Sequence, residues 1–167
     1  MRTAPKINDM MRRPYVGVVG AGLADDELLN TARAVGRLVA ERGGVVVCGG
    51  LGGVMEAACR GAKEAGGTTV GILPGLDRRD ANPHVDVAIP TGMGEMRNVL
   101  VVRASDVVIA IGGEYGTLSE IAFALKTGVP VVGLKVWELV KDGATDRGIR
   151  RASNPREAVD LAFSLTP

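Results

Sequence analysis

DVVIAIGGEYGTLSEIAFALKTGVPVVGL, residues 106–134, holds the pattern that decides the fold. The segment Asp106–Ile111 is a buried strand whose apolar run ends in two glycines. A helical pattern follows over Thr117–Gly128, with Gly128 as its stop. A second apolar run, Val129–Leu134, closes the unit. Both runs are short and Val/Ile-rich, and neither alternates with polar residues. Strands of that kind are covered on both faces, which is the condition of a parallel sheet flanked by helices.

The same alternation extends in both directions. Upstream, Tyr15–Gly22 is a strand ending in glycine, and Asp25–Gly43 is an amphipathic helix opened by acids and closed by Gly43. Val45–Cys48 is a buried strand, followed by the helix Val54–Gly67 and the strand Thr68–Pro74. A polar loop leads to a short strand, Val85–Pro90, placed near an edge. Gly94–Ser105 reads as a helix with an apolar stripe. Downstream, Lys141–Asn154 is polar, and a last helix near Pro155–Leu165 carries proline in its first turn. The expected architecture is a single-domain, Rossmann-like, doubly wound parallel α/β sheet with helices on both faces. It spans residues 14–167 after a loose tail of residues 1–13.

Composition narrows the function. A formal net charge of +1 gives no bulk attraction to nucleic acid, and 3% aromatic residues provide few platforms for single strands. Cys48 and Cys59 have neither a disulfide framework nor metal-ligand spacing around them. His84 is the only histidine, so a His-based triad or a multi-His metal site cannot be assembled. No metal and no resident cofactor is expected. MRTAPKINDMMRRP at the N-terminus lacks the apolar core of a signal peptide, and no apolar run is long enough to span a bilayer. The expected setting is the cytoplasm, with no membrane partner.

Three glycine-rich turns stand at strand ends, where open α/β sheets bind ligands. The first carries Gly20 and Gly22, but Asp25 fills the third small position of a dinucleotide fingerprint, and an acid there opposes a pyrophosphate. No Gly-Lys-Ser/Thr phosphate loop is present. The second turn, Gly49, Gly50, Gly52 and Gly53, and the third, Gly112, Gly113, Tyr115, Gly116 and Thr117, each precede a helix. Backbone N–H groups freed of Cβ obstruction at a helix N-terminus favour a phosphate; the plain alternative is that these glycines only permit tight turns. Thr117-Leu-Ser-Glu120 fits a capping box, which accounts for Glu120 without a ligand yet leaves it within reach of the crevice. Arg97 is either a surface arginine or a guanidinium placed to hold a phosphate. Arg103 reads as structural, Asp106 as a turn or cap residue, and Asp77–Asp80 as a solvated loop.

Taken together, GGLGGVMEAACRGAKEAGGTTVGILP, MRN at Met96–Asn98 and GGEYGTLSE resemble the lysine-decarboxylase-like LOG (SLOG) superfamily. The resemblance is closest to a bacterial subgroup that is similar to molybdenum cofactor carriers. It covers roughly residues 15–135. It implies a phosphorylated small-molecule ligand, of nucleotide or pterin type, on a homodimer or homotetramer. In the enzymes of this superfamily the N-glycosidic bond of a nucleoside 5′-monophosphate is hydrolysed. By that resemblance Arg97 and Glu120 are the catalytic pair, and the Gly113–Thr117 turn holds the phosphate. The chain departs from the family pattern at Gly112, Glu114, Asn98 and Gly94-Glu95. Loss of a lysine at Asn98 and gain of an acid at Glu114 suit a non-catalytic carrier of a molybdopterin-type cofactor as the alternative.

Overall fold

The computed structural model describes residues 12–167. Seven strands form one parallel sheet. In chain order they are β1 (Tyr15–Gly20), β2 (Val45–Cys48), β3 (Thr68–Leu73), β4 (Val87–Pro90), β5 (Val107–Ile111), β6 (Val131–Leu134) and β9 (Ile149–Arg151). Their spatial order is β4-β3-β2-β1-β5-β6-β9. The chain therefore reverses direction of winding between β1 and β5. That switch leaves a crevice outside the carboxyl ends of the central strands.

The helices are α1 (Asp26–Glu41), α2 (Val54–Glu64), α3 (Asn98–Arg103), α4 (Tyr115–Thr127) and α5 (Pro155–Leu165). One face of the sheet packs with α1, α2 and α5 around Val16, Val18, Val46, Ile109 and Ile111. The other packs with α3 and α4 around Val19, Val47, Val108, Ala110 and Ile121. Strands β2, β5 and β6 are buried at every position. Each valine so buried is worth about 1.5–3 kcal/mol over an exposed one.

The expected fold class holds, with differences at the edges. Residues 94–97 form a 3₁₀ turn ahead of α3, so the helix expected from Gly94 begins at Asn98. The polar stretch Lys141–Asn154 contains a small hairpin, β7 (Val140–Lys141) with β8 (Ala144–Thr145), and the seventh sheet strand β9. Strand β9 escapes pattern reading because only Ile149 of its three residues is buried. The N-terminal tail expected to be loose falls mostly outside the described residues. Arg13, at its end, is tied down: its guanidinium donates to the Gly43 carbonyl at 2.8 Å and to Thr68 Oγ1 at 3.1 Å. Asp106 acts as a tie as well, accepting from the Tyr15 amide at 2.8 Å. Arg103 stacks over the Phe123 ring.

Candidate functional site

A cavity of about 380 Å³ opens at the switch between β1 and β5. The first glycine turn contributes Gly20, Ala21 and Gly22 to its wall, and the second contributes Gly49 and Leu51. Glu114, Gly116, Thr117 and Glu120 come from the start of α4, and Glu95, Arg97 and Asn98 from the α3 side. The structure thus brings Arg97 and Glu120 into one cavity with all three glycine turns. Gly50, Gly52, Gly53, Gly112, Gly113 and Tyr115, read from sequence as ligand-binding, lie outside its lining. They shape the turns instead. Met55 and Pro74 also line the cavity; Met55 stands in the first turn of the helix of the glycine-turn motif, and Pro74 carries no signal beyond its place at a strand end.

Arg97 is 8% exposed. Its Nε donates to the Ile72 carbonyl at 2.8 Å, one Nη to the Gly49 carbonyl at 3.3 Å, and the other to Asn98 Oδ1. It is therefore neither a surface arginine nor a free one. It clamps the ends of β2 and β3 to α3. Gly49 makes this seat possible, since a Cβ there would stand 2.5 Å from the guanidinium. Burial lowers the Arg97 pKa, with the Glu120 charge pulling it back up. A guanidinium stays charged at neutrality even so.

Glu120 is 7% exposed. Among the described residues no side chain or backbone donor bonds its carboxylate, which reaches the cavity. Burial pushes its pKa up to about 8, against the pull of Arg97. An acid in this setting holds its proton through much of the neutral range.

The capping box is not formed. Helix α4 begins at Tyr115, two residues before the expected cap, and Glu114 at the cap position makes no side-chain bond to the helix. The reason lies in the backbone. Gly112 and Gly113 take φ of +56° and +109°, which turns the chain early and places Thr117 in the first turn. A Cβ on Gly113 would lie 2.4 Å from the Thr117 side chain. The first N–H groups of α4 are left without a side-chain acceptor, and Glu114, Gly116 and Thr117 of this turn line the cavity. Such an end attracts an anion.

The second turn is braced from outside. The Asn82 amide N–H donates to the Gly50 carbonyl and its Nδ2 to the Leu51 carbonyl, both at 2.9 Å. Cys48 and Cys59 are buried behind this turn with their sulfurs 3.4 Å apart. Among the described residues no cluster of His, Cys, Asp or Glu could hold a metal ion, and no helix is long and apolar enough to cross a membrane.

Solved structures share this fold. The molybdenum cofactor binding protein of the phototrophic bacterium Rippkaea orientalis matches with a TM-score of 0.84 and 41% identity, over 93% of this chain and 98% of that one. The Moco carrier protein of Chlamydomonas reinhardtii matches with a TM-score of 0.81 and 36% identity, over 92% and 98%. A cytokinin riboside 5′-monophosphate phosphoribohydrolase of Mycobacterium tuberculosis is 35% identical over 121 residues, which are 66% of this chain and 64% of that protein. The family model matching residues 13–159 is that of the SLOG cluster4 family, and the chain belongs to it.

Proposed function

We propose that this protein binds a phosphorylated small molecule of pterin or nucleotide type, with its phosphate on the N-terminus of α4. The observation that carries this reading is the uncapped first turn of α4, opening onto the cavity beside the unpartnered carboxyl of Glu120. The cavity's one guanidinium already serves backbone carbonyls, so the phosphate relies on backbone N–H groups and the Thr117 hydroxyl. Gly116 lets it approach closely. Glu95 and Glu114 at the mouth set a negative field that favours ligands offering N–H donors beside their phosphate. The likeness to molybdenum cofactor carriers over nearly the whole chain supports a pterin-type cargo.

A second reading is hydrolysis of the N-glycosidic bond of a nucleoside 5′-monophosphate. It is favoured by the presence of Arg97 and Glu120 in one cavity, as the superfamily resemblance implies. Water would add at the anomeric carbon as the C–N bond breaks, its proton ending on the departing base, with the positive charge that develops on the sugar facing Glu120. That task needs an ionised carboxylate. An acid pushed to about 8 holds its proton at pH 7, which favours the binding reading. The proposal includes self-association as a dimer or tetramer.

The test is a panel of nucleoside 5′-monophosphates and pterin phosphates, followed by thermal shift and by assay for free base. Stabilisation without base release, weakened at least 10-fold in Gly116→Val, supports the binder. Base release abolished in Glu120→Ala establishes the hydrolase in its place.

A further inference from the structure

The chain has five aromatic residues, and two of them meet beside the third glycine turn. The rings of Tyr115 and Trp137 lie 5.5 Å apart, tilted by 39°. Trp137, on the segment after β6, is fixed at two points. Its indole N–H donates to the Gly113 carbonyl at 3.1 Å, and its own carbonyl accepts from the Arg151 guanidinium at 2.9 Å. Tyr115 is the first residue of α4 and is 75% exposed. Its neighbours on both sides, Glu114 and Gly116, line the cavity, but Tyr115 itself does not.

An exposed tyrosine ring at a helix start contributes nothing to the core. Held against an anchored indole, the ring stays mostly exposed at the start of the helix whose first N–H groups are uncapped. Planar heterocycles stack on such faces for about 1–3 kcal/mol, whatever their hydrogen-bonding edge. The cavity lining, by contrast, includes no aromatic side chain.

We infer that Tyr115, backed by Trp137, is a stacking subsite for a flat heteroaromatic ring of a ligand whose phosphate lies on the α4 N-terminus. This rests on the phosphate reading above and adds where the ring sits: outside the cavity, across the glycine turn. The subsite selects flat, conjugated rings over sugars and aliphatic phosphates.

Trp137 is the sole tryptophan, so its fluorescence reports on this place alone. The full chain is titrated with inorganic phosphate, ribose 5-phosphate, AMP, GMP and neopterin phosphate, following tryptophan emission and melting temperature together. The ring-bearing phosphates should quench or shift the emission saturably, whereas phosphate and ribose 5-phosphate should stabilise the fold without doing so. Tyr115→Ala should weaken the ring-bearing ligands roughly 5- to 100-fold and leave ribose 5-phosphate unchanged. Tyr115→Phe should restore them, since only the ring face is used. If Tyr115→Ala weakens ring-bearing ligands and ribose 5-phosphate alike, or if ligands stabilise the protein with no change in emission, the subsite is wrong and the phosphate cradle stands. If no phosphorylated compound stabilises the protein, the cradle fails and the subsite falls with it.

Discussion

Burial holds Glu120 in a state that solution pH can reach. Its carboxyl is pushed from 4.5 to about 8 in the folded chain. Between those values the folded protein retains a proton that the unfolded chain has released. Stability from this group is therefore fully present below about 4.5 and declines as pH rises towards 8. The whole effect is at most about 5 kcal/mol, and the attraction of Arg97 already counts within it. Glu120→Gln removes the titration. We expect urea midpoints of the variant to change little between pH 5 and 9, and to exceed wild type at pH 9 while nearly matching it at pH 5. Parallel pH profiles for the two proteins would show that Glu120 is ionised throughout and would return the hydrolytic reading to first place. Arg97 makes the complementary case at the same scale. Gly49→Ala would drive a methyl group to 2.5 Å from the guanidinium and 2.8 Å from Met55 Sδ. A cost of about 1–3 kcal/mol follows from overpacking. Because the clash is with Arg97, combining Gly49→Ala with Arg97→Ala should cost clearly less than the sum of the two, measured by denaturant unfolding. Additivity would mean that Arg97 does not occupy the seat described.

The start of α4 and the start of α5 look alike in sequence terms but do different work. Helix α5 is capped by Asn154, whose Oδ1 accepts the Glu157 amide at 2.9 Å, with Pro155 in its first turn. Helix α4 has no such cap, because two glycines at positive φ deliver the chain to Tyr115 with its first N–H groups open. Asn154→Ala should cost about 1 kcal/mol of stability and leave ligand affinity unchanged. Gly113→Ala forces a strained backbone and a contact with Thr117, so it should cost roughly 2–4 kcal/mol and abolish phosphate-dependent stabilisation together. Calorimetric melting with and without AMP separates the two, and equal ligand-induced shifts in both variants would remove α4 from the site. This contrast also shows what a sequence can hide. The glycines of the third turn were legible as a special turn, but the spacing Thr117-x-x-Glu120 imitates a capping box. Only the φ angles of Gly112 and Gly113 reveal that the helix has already begun, which puts Glu120 inside it and turned to the cavity. The Arg97 clamp was hidden for a different reason: its partners Ile72 and Gly49 are carbonyls far away in the chain, and no side-chain pattern encodes them.

At the scale of the molecule, the parallel core was legible because strands buried on both faces must be apolar throughout, as β2, β5 and β6 are. Edges were harder, since an edge strand needs few buried residues; β9 has one. The other edge leaves something unfinished. Three helices cover one face of the sheet, while only α4 and the six-residue α3 cover the other. On that sparsely covered side Val87 and Ile89 of edge strand β4 are 48% and 44% exposed, and Met93 and Met96, following in the chain, are 47% and 68% exposed. An apolar sheet edge left in water invites pairing with another chain. A second copy of this protein is the occupant that the proposed dimer or tetramer supplies. Light scattering after gel filtration should give a mass that is a multiple of 17.3 kDa. Ile89→Lys sets two like charges against each other across a symmetric contact and should shift the protein towards monomer at micromolar concentration. Leu23→Lys, at a 96% exposed position in the loop before α1, serves as the control and should leave the mass unchanged. A wild-type mass of a single chain would refute self-association outright. An oligomer indifferent to Ile89→Lys would move the interface to another face and leave the β4 edge exposed for a different reason.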